Sequence, residues 1–135
     1  MIIDYLLMIK IDHIALYTRR LEVCRAFYET YFGATAGTMY HNPNTGLKTY
    51  FLSFTGDTRL EIMERPDVGE RPDKALSEGF IHLAFSTGSR EAVDRLTARL
   101  VADGYACVGR PRVTGDGYYE SVVTDPDGNR IEITI

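Results

Sequence analysis

Cysteine is scarce in this chain of 135 residues: Cys24 and Cys107 are the two, far apart and in no paired motif. No disulfide framework is therefore expected. Cys24 falls on the apolar face of an expected helix, so both thiols read as free and reduced, which points to a cytoplasmic protein. A long apolar run is also missing. The longest near the start, residues 1–9, is interrupted by Asp4. It is too short to span a bilayer, and it lacks the basic start and small-residue cleavage site of a secretory signal. An extra N-terminal strand or flap is the expectation there, with Met8 as an alternative start, and no membrane partner. Basic clusters are absent too: 15 Lys and Arg are interspersed with 19 Asp and Glu, for a net charge of −4. That excludes an extended nucleic-acid surface. What remains is ordinary globular material, 44% hydrophobic and 25% charged. The length suits one compact domain, or two very small modules sharing a core.

Against that plain background, one phrase occurs twice. Arg59-Leu60-Glu61-Ile62 returns as Arg130-Ile131-Glu132-Ile133, and Glu61 and Glu132 lie 71 residues apart. Gly33 and Gly104 are also 71 apart, and His13 and His82 are 69 apart, so the copies differ by a small indel. His13-Ile14-Ala15-Leu16 matches His82-Leu83-Ala84-Phe85. A two-copy repeat predicts one module used twice.

Each copy predicts a strand, a helix and three strands. Residues 10–17 read as a strand. Leu21, Cys24, Tyr28, Tyr31 and Phe32 recur at helical spacing, and Gly33 follows as a C-cap. Strands are expected at 34–41, 48–54 and 59–64, with a turn cluster from His41 to Gly46 that makes His41 a surface residue. Pro66, Gly69, Pro72 and Gly79 mark residues 65–79 as a linker. The second copy predicts a strand at 80–85, then a helix capped by Ser89 and stopped by Gly104. Strands follow at 105–111 and 118–124. Asp125-Pro126-Asp127-Gly128 turns the chain into the final strand.

Strand period 2 then sorts the faces. Ile14 and Leu16, Leu60 and Ile62, Leu83 and Phe85, and Ile131 and Ile133 suit packing under the helices. The opposite faces carry His13, Glu61, His82 and Glu132, with Tyr17 sharing the face of His13. If the first and last strands of each module lie close, the two modules supply two imidazoles and two carboxylates to one cup. Ala15 and Ala84 leave room beside the histidines. Such a set suits a divalent transition metal, because imidazole and carboxylate favour Zn²⁺, Ni²⁺, Co²⁺, Fe²⁺ or Mn²⁺ and two carboxylates neutralise a dication. Without a metal the two carboxylates would repel and one would bind a proton more readily.

With these residues in place, the sequence resembles the vicinal oxygen chelate superfamily, and within it the glyoxalase I (lactoylglutathione lyase) group. The matching pieces are Asp12 to Leu16, Ala26-Phe27-Tyr28 with Gly33, Leu60-Glu61-Ile62, Ile81 to Phe85, and Asp125 to Glu132. They span nearly the whole chain. The Asp-Pro-Asp-Gly phrase is common to all activities of the superfamily, whereas the His/Glu/His/Glu set is more specific to glyoxalase I. The resemblance implies an α+β fold of two tandem βαβββ modules whose curved sheets surround a metal cup. It implies a single domain, 1–135, made of module 9–64, linker 65–79 and module 80–135. His13, Glu61, His82 and Glu132 become the metal ligands, with Zn or Ni first and Co, Mn or Fe as other choices. No organic cofactor is implied.

The implied reaction is isomerisation of a 2-oxoaldehyde–thiol hemithioacetal to a 2-hydroxyacyl thioester through an enediolate, as in methylglyoxal detoxification. Glu132 would move the proton, with Glu61 as the opposing carboxylate. A homodimer is implied as well, and the proline-rich linker admits a cup within one chain or one shared between two. Two positions depart from the glutathione-using pattern: Tyr17 stands where relatives tend to carry Arg, and Arg65 where they tend to carry Asn. Competing members of the superfamily fit less well. Acyl-CoA epimerases usually have Gln at the position of Glu61. Ring-cleaving dioxygenases need two His and one carboxylate. Bleomycin-resistance-type binding proteins lack the metal set.

Overall fold

The computed structural model of the chain describes residues 4–72 and 76–135. Residues 1–3 of the expected N-terminal strand or flap and residues 73–75 of the linker lie outside the described residues. Asp4–Met8 forms a 3-10 helix, not a strand. The elements that follow are β1 (His13–Tyr17), α1 (Leu21–Phe32), β2 (Thr35–Ala36), β3 (Tyr40–Asn42), β4 (Leu47–Ser53) and β5 (Arg59–Glu64). The second module holds β6 (His82–Ser86), α2 (Arg90–Ala102), β7 (Cys107–Val113), β8 (Tyr119–Thr124) and β9 (Arg130–Thr134). This is the expected α+β arrangement of two helices on two mixed sheets.

Local chemistry explains the boundaries. Gly33 takes a left-handed φ of 67° at the end of α1, and its N–H reaches Tyr28 O. A β-carbon would strain that position. Ser89 caps α2, its hydroxyl accepting the N–H of Ala92 at 3.1 Å. Two expected strands come out differently. Residues 34–41 split into β2 and β3, because pairing lapses after Gly37, which has no side chain to pack although its N–H still reaches Phe51 O at 3.0 Å. The strand expected at 105 begins at Cys107, because Tyr105 is still closing the helix end, its N–H bonded to Leu100 O at 2.9 Å.

One sheet runs β1-β5-β4-β2, with β3 also on β4; the other runs β6-β9-β8-β7. The first and last strands of each module pair in parallel, β1 with β5 and β6 with β9. Leu60, Ile62, Ile131 and Ile133 point into one shared core. Ile62, Ile131 and Ile133 are fully buried, each worth about 1.5–3 kcal/mol relative to exposure. Helix α1 ties the modules together. Phe32 stacks near Phe85 of β6 at 4.5 Å between ring centroids. Phe27 meets Tyr105 at 4.9 Å. The buried hydroxyl of Tyr28 donates to Asp125 Oδ2 at 2.9 Å. Under α2, the hydroxyls of Thr97 and Ser121 satisfy one another at 2.7 Å.

Candidate functional site

The helices cover one face of each sheet, so the other face is left to the polar residues of the repeat. On β1, His13, Ala15 and Tyr17 are exposed; on β6, His82, Ala84 and Ser86 are exposed in the same pattern. The ladder registers repeat as well. His13 lies opposite Arg59 and Ala15 opposite Glu61; His82 lies opposite Arg130 and Ala84 opposite Glu132. Each glutamate is therefore two residues along from its histidine, on the neighbouring strand and on the same face. The small alanine leaves the imidazole free to reach across.

The two pairs close to similar distances. His13 Nε2 stands 3.8 Å from Glu61 Oε1, and His82 Nε2 stands 3.3 Å from Glu132 Oε2. Both histidines are about a third exposed, at 38% and 33%, while the glutamates are mostly covered, at 16% and 18%. Among the described residues of one chain, no three His, Cys, Asp or Glu side chains converge tightly enough to hold a metal ion. The structure thus brings His13 to Glu61 and His82 to Glu132, and leaves the pairs as two open half-sites.

The donor chemistry of each half-site fits a divalent cation. His13 Nδ1 is bonded to Asp12 Oδ2 at 2.7 Å, and the same carboxylate oxygen accepts from Arg59 at 2.9 Å. The hydrogen bond with His13, followed by that from Arg59, holds the Asp12 carboxyl below its usual range. In the neutral tautomer that donates Nδ1–H to Asp12, Nε2, the nitrogen that faces Glu61, keeps the lone pair a metal would take. A carboxylate behind a histidine is the arrangement that orients a metal-ligating imidazole. Phe51 completes the holder. The His13 ring meets it edge-on at 5.1 Å, and the Arg59 guanidinium lies over it at 4.3 Å.

Sequence reasoning named the four His and Glu residues and gave Asp12 no role. The signal for Asp12 was its place immediately before His13. Phe51 had no signal beyond its strand. Glu120 was missed altogether. It lies on β8 with its carboxyl against Glu132; that hydrogen bond, then burial, pushes Glu120 up to about 7. The carboxyl pushed up is therefore that of Glu120, through Glu132 on the adjacent strand β9. His41 is exposed on β3, as expected of a surface residue.

The pattern of the Glyoxalase/Bleomycin resistance protein/Dioxygenase superfamily matches residues 10–133. Uncharacterized protein PA2024 of Pseudomonas aeruginosa is 32% identical over 127 residues, covering 92% of this chain and 86% of its own. A glyoxalase family protein from Enterococcus faecalis superposes with a TM-score of 0.77 at 25% identity, covering 93% of this chain and 97% of its own. The trypanothione-dependent glyoxalase I of Leishmania major shares the fold, with a TM-score of 0.74 at 20% identity over 93% of this chain and 86% of its own.

Proposed function

Because this chain belongs to the Glyoxalase/Bleomycin resistance protein/Dioxygenase superfamily, we propose that it is a metal-dependent isomerase of glyoxalase I type. On this reading it converts a 2-oxoaldehyde–thiol hemithioacetal to a 2-hydroxyacyl thioester. The observation that carries the reading is the repeated His–Glu pair: the same two residue types, in the same register, on the same open face of both modules. His13, Glu61, His82 and Glu132 would hold the ion. When bound, a divalent cation supplies Lewis-acid polarisation of the two adjacent substrate oxygens.

The chain supplies the rest. Glu132, mostly covered and beside an open sheet face, takes the proton from the carbon bearing the thiol sulfur and returns it to the neighbouring carbon. Glu61 occupies the equivalent position on the other module and serves the opposite side of the substrate. Asp12 and Phe51 keep His13 in one orientation. The step is redox-neutral overall. The C–H bond on the sulfur-bearing carbon breaks and one forms on its neighbour. The hydroxyl on the sulfur-bearing carbon gives up its proton to become the thioester carbonyl, the former carbonyl oxygen takes one up to become the hydroxyl, and Glu132 ends as it began.

The half-sites favour completion by a second copy. Within one chain, β1 and β6 are the edge strands of their sheets. The faces bearing His13 and His82 are exposed on both. A homodimer in which His13 and Glu61 of one copy meet His82 and Glu132 of the other would cover those faces and assemble four ligands. The working unit is then one domain, 1–135, with modules 9–64 and 80–135 and the linker 65–79 between them.

The test is a screen of hemithioacetals, formed from methylglyoxal and several thiols, with the metal-stripped protein and added Ni²⁺, Zn²⁺ or Mn²⁺. Thioester formation that depends on added metal is the expected result. Absence of stoichiometric metal uptake with every ion would remove the reading.

A further inference from the structure

A run of exposed apolar side chains sits ahead of the first strand. Tyr5, Leu6, Leu7, Met8, Ile9 and Ile11 are all open to water, Leu7 and Met8 at 81% and 80%. None of them joins the shared core or packs against it. Their open surface sums to several hundred Å², the size of patch that marks a protein–protein contact. The run is anchored at one end. Thr58 Oγ1 donates to the carbonyl of Ile11 at 3.2 Å, and the N–H of Arg59 donates to that of Asp12 at 3.1 Å. Ahead of that anchor the N–H of Ile9 turns back to Leu6 O at 3.3 Å, within the run itself. Residues 5–11 therefore form an arm on β1, and most of it precedes the superfamily pattern, which starts at residue 10.

The second module repeats the feature in miniature. By the 69-residue offset between His13 and His82, Phe80 is the counterpart of Ile11, and Ile81 of Asp12. Phe80 is 85% exposed and Ile81 54%. Each module thus has open apolar residues immediately ahead of the strand that carries its histidine. In the homodimer proposed above, His13 of one copy and His82 of the other share one ion. The approach to β1 in one copy and the approach to β6 in the other then end within two residues of the same site. Residues 5–11 reach about 25 Å when extended, well beyond the ~10 Å between facing sheets.

Charge argues against a lipid surface as the occupant. Residues 4–11 carry one acid, Asp4, and one base, Lys10. Segments that settle on anionic lipid are rich in Lys and Arg. An arm without net charge suits an apolar protein surface, and a second copy already lies at its root in the proposed dimer.

We propose that the arm of each copy packs on Phe80 and Ile81 of a second copy and clasps the dimer. The inference rests on the homodimer proposed above and adds the element that holds it together.

Sedimentation equilibrium of the full chain tests this. The unsubstituted chain should dimerise reversibly. Leu7→Ser with Ile9→Ser should raise the dimer Kd by at least about tenfold, and Phe80→Ser should raise it by a similar factor. All three together should raise it by less than the product of the two effects, because each set removes the same contact. The substituted positions are exposed in the single chain, so far-UV circular dichroism should be unchanged. Met8→Ser and Ile81→Ser replace any variant that fails to fold. A dimer whose Kd is unchanged in either set, or effects that multiply in full, would overturn the arm and leave the shared metal site standing. A chain that stays monomeric at every concentration would overturn both.

Discussion

At the scale of single residues, the account rests on where protons and lone pairs sit. Glu132→Gln keeps the size of the side chain and removes its basicity. Steady-state assay of the hemithioacetal reaction should show kcat/KM lower by at least about 10²-fold. Full activity in that variant would remove Glu132 as the base. Asp12 acts through His13, not on substrate. Asp12→Asn weakens the hold on Nδ1 and breaks the ion pair with Arg59, so metal affinity should fall by about 10–100-fold in a competition titration against a chelating dye. Only the first of these two residues had a functional reading from sequence. A glutamate repeated at equivalent points stands out in a line of text. An aspartate adjacent to a histidine does not, because adjacent strand residues normally face opposite ways and the side-chain contact depends on the local bend.

Elements carry a different set of consequences. Helix α1 is the clamp between modules, and its buried tether is the Tyr28 hydroxyl on Asp125. Asp125 also accepts the N–H groups of Asp127 and Asn129 at 2.9 Å each, so it organises the turn that launches β9 and Glu132. Tyr28→Phe removes one charged-acceptor hydrogen bond in a buried site and should cost about 1.5–3 kcal/mol of stability in urea unfolding. The outer face of α1 has its own tie. Glu22 accepts from Tyr50 of β4 at 2.7 Å and from Arg25 at 2.8 Å. The Tyr50 bond, then the Arg25 bond, lower the Glu22 carboxyl below its ordinary value of 4.5. A lowered carboxylate contributes stability above its unfolded value and loses it as pH falls through the folded one. Glu22→Gln should therefore show a shallower loss of melting temperature below about pH 4.5. At an exposed site the difference is small.

Most elements were legible in sequence for reasons the structure makes plain. Ser89 and Gly33 act through local geometry that a sequence displays directly. The parity of Leu60, Glu61 and Ile62 decides which side is buried. The break between β2 and β3 was not legible, because no proline or turn cluster marks residues 37–39. The late start of β7 depends on how α2 is closed, which is set by the hydrogen bonds of Gly104 and Tyr105.

For the whole molecule, the repeat in the sequence suggests the proposed four-residue set but not how the set is distributed between the two sheets. Face and register follow from period 2, so each His–Glu pair could be placed on one side of its own sheet. Whether the two sheets of one chain turn those sides toward each other depends on how α1 packs against β6 and the turn before β9, a long-range matter of Phe32, Phe85, Tyr28 and Asp125. The packing observed puts the modules back to back through a shared core and leaves both site faces open. Complementation between two inactive chains tests the resulting claim most directly. One chain carries His13→Ala with Glu61→Gln; the other carries His82→Ala with Glu132→Gln. Each alone should bind no metal tightly and show no isomerase activity. Co-refolded, they should form mixed dimers that regain about one metal ion per dimer and measurable activity, because one of the two shared sites is then intact. Continued absence of metal and activity in verified mixed dimers would contradict a site built from two copies.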